Sequence, residues 1–206
     1  MDKPAVILIH GLWMNQWVMR YLGRFFKKAG FTTYYFGYPS RHQSLEANSI
    51  ALASLIDTLP HKTINLVGHS LGGLICIDYM KRYGSGKIEH CVLLGSPVNG
   101  SQVANVMNKY RIGKKLLGIC ASDLSRSHQS ISLDKIGLVI GTGGKGLGRL
   151  ISSLPFPNDG AVSFVEAKIK GVERQVLLPT SHSTMLFSRP VADAAVYFCQ
   201  NGDFCE

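Results

Sequence analysis

Short apolar runs recur along the chain, and most are followed by a stretch with apolar residues at helical spacing. AVILIH (5–10) is continuous and β-branched, which predicts a strand buried on both faces. NQWVMRYLGRFFKKAG (15–30) has helical spacing, with Gly30 placed to cap its end. FTTYYF (31–36) reads as the next strand, broken by GYPS. SLEANSIALASLIDTL (44–59) reads as a helix with Ser44 as N-cap. KTINLV (62–67) predicts a third strand, followed by a helix from about Ser70 to Tyr83. IEHCVLLGSP (88–97) supplies a fourth strand, and residues 101–120 read as helical with breaks near Gly113 and Gly118. KIGLVIG (135–141) predicts a fifth strand, then the glycine-rich loop GTGGKGLG (141–148) and a short helix. VERQVLLP (172–179) predicts a sixth strand, and VADAAVYFCQNG (191–202) a closing helix with Gly202 beyond its end.

Six strands alternating with helices predict an α/β fold of right-handed βαβ units, with a mostly parallel sheet and helices on both faces. No internal repeat or long linker interrupts the 206 residues, so residues 1–206 are expected to form a single domain.

Composition narrows the class. Hydrophobic residues are 46% and charged residues 17%, a globular rather than a disordered balance. No run approaches the roughly 18 apolar residues of a membrane helix. The N-terminal apolar run is too short for a signal peptide, and Asp2 is acidic where a basic region is expected. A cytoplasmic protein is the expectation. Five cysteines without CxxC spacing argue against a disulfide framework and a zinc site. Cys76 and Cys91 lie in apolar runs as small core residues, while Cys199 and Cys205 are near enough in sequence to pair. The net charge of +9 reads first as a solvated basic surface. Its sharper reading is attraction to a phospholipid surface, an acidic substrate or nucleic acid, and charge alone does not choose.

The chemistry gathers at NLVGHSLGGL (65–74). Ser70 lies just past the carboxyl end of a strand, where open α/β sheets bind ligands. A nucleophile there projects from strained backbone and needs small neighbours two residues away, a need that Gly68 and Gly72 meet. The helix that starts here aims N–H groups and its positive dipole end at the serine. The bare G-x-S-x-G pattern is weak, and its strand–turn–helix context carries the inference. Such a serine needs a base and an orienting acid, in the order Ser…Asp…His for this architecture. His182 follows the last strand in VLLPTSHSTM. Asp159 lies in PFPNDGAV, downstream of the fifth strand, although Asn-Asp-Gly is also a good turn. Among rivals, Asp134 precedes a strand, Asp78 and Asp193 fall within helices, and Asp123 stays open in an irregular segment. His10, His42, His61, His90 and His128 lack the placement, and His69 is expected to point away because adjacent residues diverge. An oxyanion hole would take N–H groups from Leu71 and from Leu12 in the loop after the first strand. Gly11 would let that backbone approach, and His10 would hold the loop.

VILIHGLW, LVGHSLGG, LPFPNDGAVSF and TSHSTM together resemble the α/β-hydrolase fold superfamily, specifically its small lipase/esterase-like members, over residues 5 to 200. The resemblance implies Ser70 as nucleophile, Asp159 as acid, His182 as base, and Leu12 and Leu71 as oxyanion donors. It implies a serine hydrolase that cleaves carboxylic esters through an acyl-enzyme, with no metal, cofactor or nucleic acid. The chain looks minimal, because it starts at the strand before the oxyanion loop. The two leading strands of larger members and a large cap are expected to be absent, with 98–134 as the candidate small lid. Trp13, Met14, Trp17, Phe156, Met185 and Phe187 flank the site in sequence and are candidates for an apolar acyl pocket. NKYRIGKKLLG (108–118) joins four basic residues to Leu116 and Leu117. It would meet an anionic lipid surface if it covers the cleft, and is otherwise a solvated helix face.

Three readings compete. An acyltransferase or thioesterase would use the same triad. A hydrolase-fold protein that only binds would not use it. A nucleotide-binding module would use Gly141, Gly143 and Gly146 as G-x-G-x-x-G. Against that last reading, the next helix runs short into Pro155 and no acidic residue follows at the next strand's end.

Overall fold

The computed structural model describes residues 3–128, 134–144 and 153–205. Its six strands are β1 (Ala5–Ile9), β2 (Thr32–Phe36), β3 (Ile64–His69), β4 (Ile88–Leu94), β5 (Ile136–Gly141) and β6 (Gln175–Leu178). They form one sheet in the order β2-β1-β3-β4-β5-β6, and every neighbouring pair is parallel. All six predicted strands are present.

The continuity of AVILI follows from its place inside the sheet. Ala5, Ile7 and Ile9 enter one apolar cluster, and Val6 and Leu8 enter the other. With both faces covered, neither set of side chains tolerates a polar residue. The first face is covered by α2 (Leu45–Thr58) and α3 (Leu71–Tyr83), through residues such as Leu52, Ile56, Leu74 and Ile77. The other is covered by α1 (Arg20–Lys28) and by a C-terminal helix, Arg189–Asn201, through Leu22, Phe26, Ala195 and Phe198.

The helix starts and stops have local causes. Ser44 Oγ accepts from the Ala47 N–H at 3.2 Å and opens α2. The predicted helix 15–30 begins instead as a 3-10 turn, Gln16–Met19, whose start is capped by the Asn15 side chain accepting from the Trp17 N–H at 3.0 Å. The segment after β4 holds α4 (Gln102–Met107), α5 (Arg111–Leu117), a 3-10 turn (Gly118–Cys120) and α6 (Ala121–Leu124). The first break falls at 108–110, not at Gly113. Gly113 lies inside α5, where a Cβ would run into the Met107 backbone. Gly118 does break the chain, at φ 73°. Short α7 (Phe164–Ala167) precedes β6, and α8 is the C-terminal helix, ended at Gly202 with φ 76°. The predicted loop 141–148 is described only as far as Gly144, and Gly146 and the short helix expected next lie outside the described residues.

The five cysteines are free thiols. Cys199 and Cys205 therefore do not pair. Cys199 faces the core from α8, where burial pushes its thiol pKa well up, and Cys205 lies exposed beyond the helix cap. Among the described residues, no helix is long and apolar enough to cross a membrane.

Candidate active site

β3 ends at His69, and the next residue is held in an unusual backbone conformation. Ser70 has φ 53° and ψ −118°, outside the regions that residues with a Cβ prefer. Two backbone bonds hold it there. Its N–H donates to the Leu94 carbonyl at 2.9 Å, and its own carbonyl accepts from Gly73 at 3.0 Å. A Cβ on Gly68 would lie 2.5 Å from the Gly73 nitrogen, and one on Gly72 would lie 2.5 Å from the His10 oxygen. Both glycines are thus required by close backbone approach. α3 starts at Leu71, so the Leu71 N–H is one of the donors that a helix start leaves unpaired.

The loop after β1 approaches the same point. His10 Nδ1–H donates to the Gly11 carbonyl at 2.8 Å, and its ring stacks on Tyr38 at 4.3 Å. The Tyr38 hydroxyl donates to the His10 carbonyl at 2.7 Å. Burial lowers the His10 pKa against the opposing effect of the Gly11 carbonyl, so the ring is neutral. Trp13 adopts φ 61°, its N–H donating to Ser40 Oγ at 3.2 Å and its indole N–H to the Leu116 carbonyl at 2.8 Å. Leu12, between these anchors, has no hydrogen-bond partner for its N–H among the described residues.

An acid and a base come from the loops beyond β5 and β6. Asp159 is 1% exposed. Its Oδ1 accepts from the Ala161 and Val162 N–H groups at 2.9 and 2.7 Å. Its Oδ2 accepts from His182 Nδ1 at 2.7 Å, and the His182 N–H donates to the Asp159 carbonyl at 2.9 Å. With Nδ1 as donor, Nε2 is the nitrogen left to accept a proton. The glycines after β5 make this pairing possible. The N–H groups of Thr142, Gly143 and Gly144 donate to the carbonyls of Leu178, Thr180 and Asn158 at 2.8, 3.0 and 2.8 Å. A Cβ on Gly141 would lie 2.6 Å from the Thr180 oxygen and 2.7 Å from the Asp159 Cβ. These amides bind two loops together and are not turned outward as a phosphate cradle.

Ser70, His69 and His182 open onto one cavity of about 430 Å³. Its wall is mostly apolar, with Leu12 and Met14 on one side and Val103, Met107, Leu117 and Leu124 from the segment after β4 on the other. Among the described residues, no group of three or more His, Cys, Asp or Glu side chains is placed to hold a metal ion.

The sequence pattern described as alpha/beta hydrolase fold matches residues 4–117, more than half of the chain. The protein belongs to the alpha/beta hydrolase fold family. Comparison with the curated proteins found no match. Solved structures of the same fold include a lipase of Bacillus licheniformis in its mature form, 18% identical, with 89% of this chain and 86% of that one covered and a TM-score of 0.68. An esterase from Exiguobacterium antarcticum is 14% identical over 97% of this chain and 93% of its own, with a TM-score of 0.69. Tomato methylketone synthase I, solved with 2-tridecanone, is 13% identical over 97% and 99%, with a TM-score of 0.66. At these identities the likeness speaks of the fold.

Within this hydrolase fold, the residues singled out in the sequence separate into two groups. Ser70, His182, Leu12, Trp13 and Met14 line the cavity, with Asp159 bonded behind His182 and Leu71 behind Ser70. Trp17, Phe156, Met185 and Phe187 do not line it. Trp17 sits on Tyr35 beneath Arg20, Phe156 is 83% exposed, and Phe187 lies exposed against Tyr21. Met185 is fully buried in the core beneath Gly95 and Gly141. Nearness in sequence is not nearness in a cavity whose far wall comes from another segment. Asp123 is engaged elsewhere, its Oδ2 accepting from the Leu45 N–H at 3.1 Å.

His69 does not point away from the site. Adjacent side chains do diverge at the end of β3, but the loop carrying His182 crosses on the side His69 takes. Its Nε2–H donates to the His182 carbonyl at 2.9 Å, and the two rings lie 4.7 Å apart. Burial, and next the His182 imidazole, hold the His69 pKa well below its usual value, so the ring is neutral. Among the described residues its Nδ1 has no partner, and a Cβ on Gly11 would lie 2.9 Å from it. The fit of Gly11 against His69 and Ser70 explains that glycine.

Proposed function

We propose that this protein is a serine hydrolase of carboxylic esters, with Ser70 as nucleophile, His182 as general base and Asp159 as the orienting acid. His182 Nε2 takes the hydroxyl proton as Ser70 Oγ attacks the acyl carbonyl, and Asp159 stabilises the imidazolium that results. The N–H groups of Leu12 and Leu71 receive the developing oxyanion. His182 then protonates the leaving alcohol, and a water activated by the same imidazole hydrolyses the acyl-enzyme.

The observation that carries this reading is the bond from His182 to a carboxylate that is buried and bonded at both oxygens. Such a carboxylate has no freedom to turn, so it fixes the tautomer of an imidazole that shares a cavity with a strained serine. The apolar wall suits an acyl chain, and the lipase and esterase among the similar folds agree with it.

Hydrolysis of p-nitrophenyl esters over a series of acyl lengths tests the reading, with Ser70→Ala beside the parent protein. Loss of at least about 10³-fold in kcat is expected in the variant. Unchanged activity would remove Ser70 from its role. Labelling of Ser70 by a fluorophosphonate without hydrolysis of any ester would keep the mechanism and reject the ester substrate.

A further inference from the structure

α5 presents its apolar residues in an unexpected direction. Gly113 backs onto Met107 and Leu117 lines the cavity, so the opposite side of the helix faces out. That side carries Ile112 and Leu116, 77% and 46% exposed, with Ile119 in the next turn 57% exposed. Tyr110 precedes them at 65%, and Trp13 joins them through its indole bond to the Leu116 carbonyl. Around this patch Lys109, Arg111, Lys114 and Lys115 are all exposed. From Ser101 to Ser122 the sequence holds no acidic residue.

The patch is braced from behind. Arg41 Nη2 donates to the Lys115 carbonyl at 2.9 Å, the Ile119 N–H donates to the Arg41 carbonyl at 3.0 Å, and the Cys120 thiol donates to the Gln43 carbonyl at 3.0 Å. An apolar stripe held toward water and ringed by cations matches the boundary between acyl chains and anionic headgroups.

We propose that this face docks the protein onto an anionic phospholipid surface. The isoleucines, Leu116 and Tyr110 enter the headgroup boundary, and the four cations meet lipid phosphates. Trp13 belongs both to the patch and to the cavity wall, so docking would bring the cavity to the bilayer. Only that last consequence rests on the ester-hydrolase reading.

The test is co-sedimentation of the full chain with vesicles of phosphatidylcholine, alone or mixed with phosphatidylglycerol. Binding to the mixed vesicles is expected, with loss in high salt. Lys114→Glu/Lys115→Glu and Ile112→Ser/Leu116→Ser are each expected to lower binding by at least about tenfold while thermal unfolding stays unchanged. Equal binding to both vesicle types, or binding that both double variants retain, would overturn the proposal. So would a dimer in solution that Ile112→Ser/Leu116→Ser dissociates, because the patch would then belong to a second copy. Vesicle binding by a protein that hydrolyses no ester would leave the docking intact and sink the reaction instead.

Discussion

At Ser70, φ 53° costs a residue with a Cβ about 1–3 kcal/mol, so the surroundings must hold it there. Gly68, Gly72 and two backbone bonds do so, and His69 extends the same support to the loop opposite. It ties the backbone of His182, not its ring, so its expected part in the proposed reaction is to position that loop. His69→Phe keeps an aromatic ring but loses the bond to the His182 carbonyl. We expect kcat to fall about 10- to 100-fold with KM little changed, and His69→Gln, which keeps a donor, to recover part of the loss. Steady-state kinetics on one soluble ester would check this. A rise in KM at constant kcat would mean that His69 shapes the pocket instead. The serine, acid and base candidates were legible because their chemistry demands fixed residue types at strand ends. His69 was not, because the carbonyl it holds lies 113 positions away.

Among elements, the strands were the most legible. A strand buried on both faces writes itself as an unbroken apolar run, as β1 and β5 do. The segment after β4 shows its broken helices in the sequence but not its purpose, since its apolar residues look like ordinary core. Val103, Ala104 and Met107 follow helical spacing and face the cavity from α4, while Leu117 does so from α5. This segment should therefore set acyl length. Ala104→Phe directs a ring into the open space, and the optimum in an ester series is expected to move to shorter chains. Rates on the shortest ester should stay within about threefold, because the proposed catalytic groups are untouched. An unchanged chain-length profile would place the acyl chain elsewhere.

For the whole molecule, pH acts through histidines that are buried uncharged. His10 and His69 are both held below the ordinary value of 6.5, mainly by burial. In the unfolded chain both regain that value, so below it the unfolded state binds protons that the native state refuses. Stability is fully present well above pH 6.5 and declines as pH falls through that value toward the lowered folded values. Thermal unfolding between about pH 7.5 and 5 should show a falling Tm, and His69→Gln should flatten the slope. A pH-independent Tm would mean that neither histidine is shielded. The arrangement of the cavity has a consequence of another kind. The proposed reacting groups sit on turns braced by the sheet, whereas the far wall comes from one insertion between β4 and β5. Mutational drift, or a deliberate transplant from another protein of this fold, could exchange that segment and reshape the cavity while the proposed reacting groups are inherited unchanged.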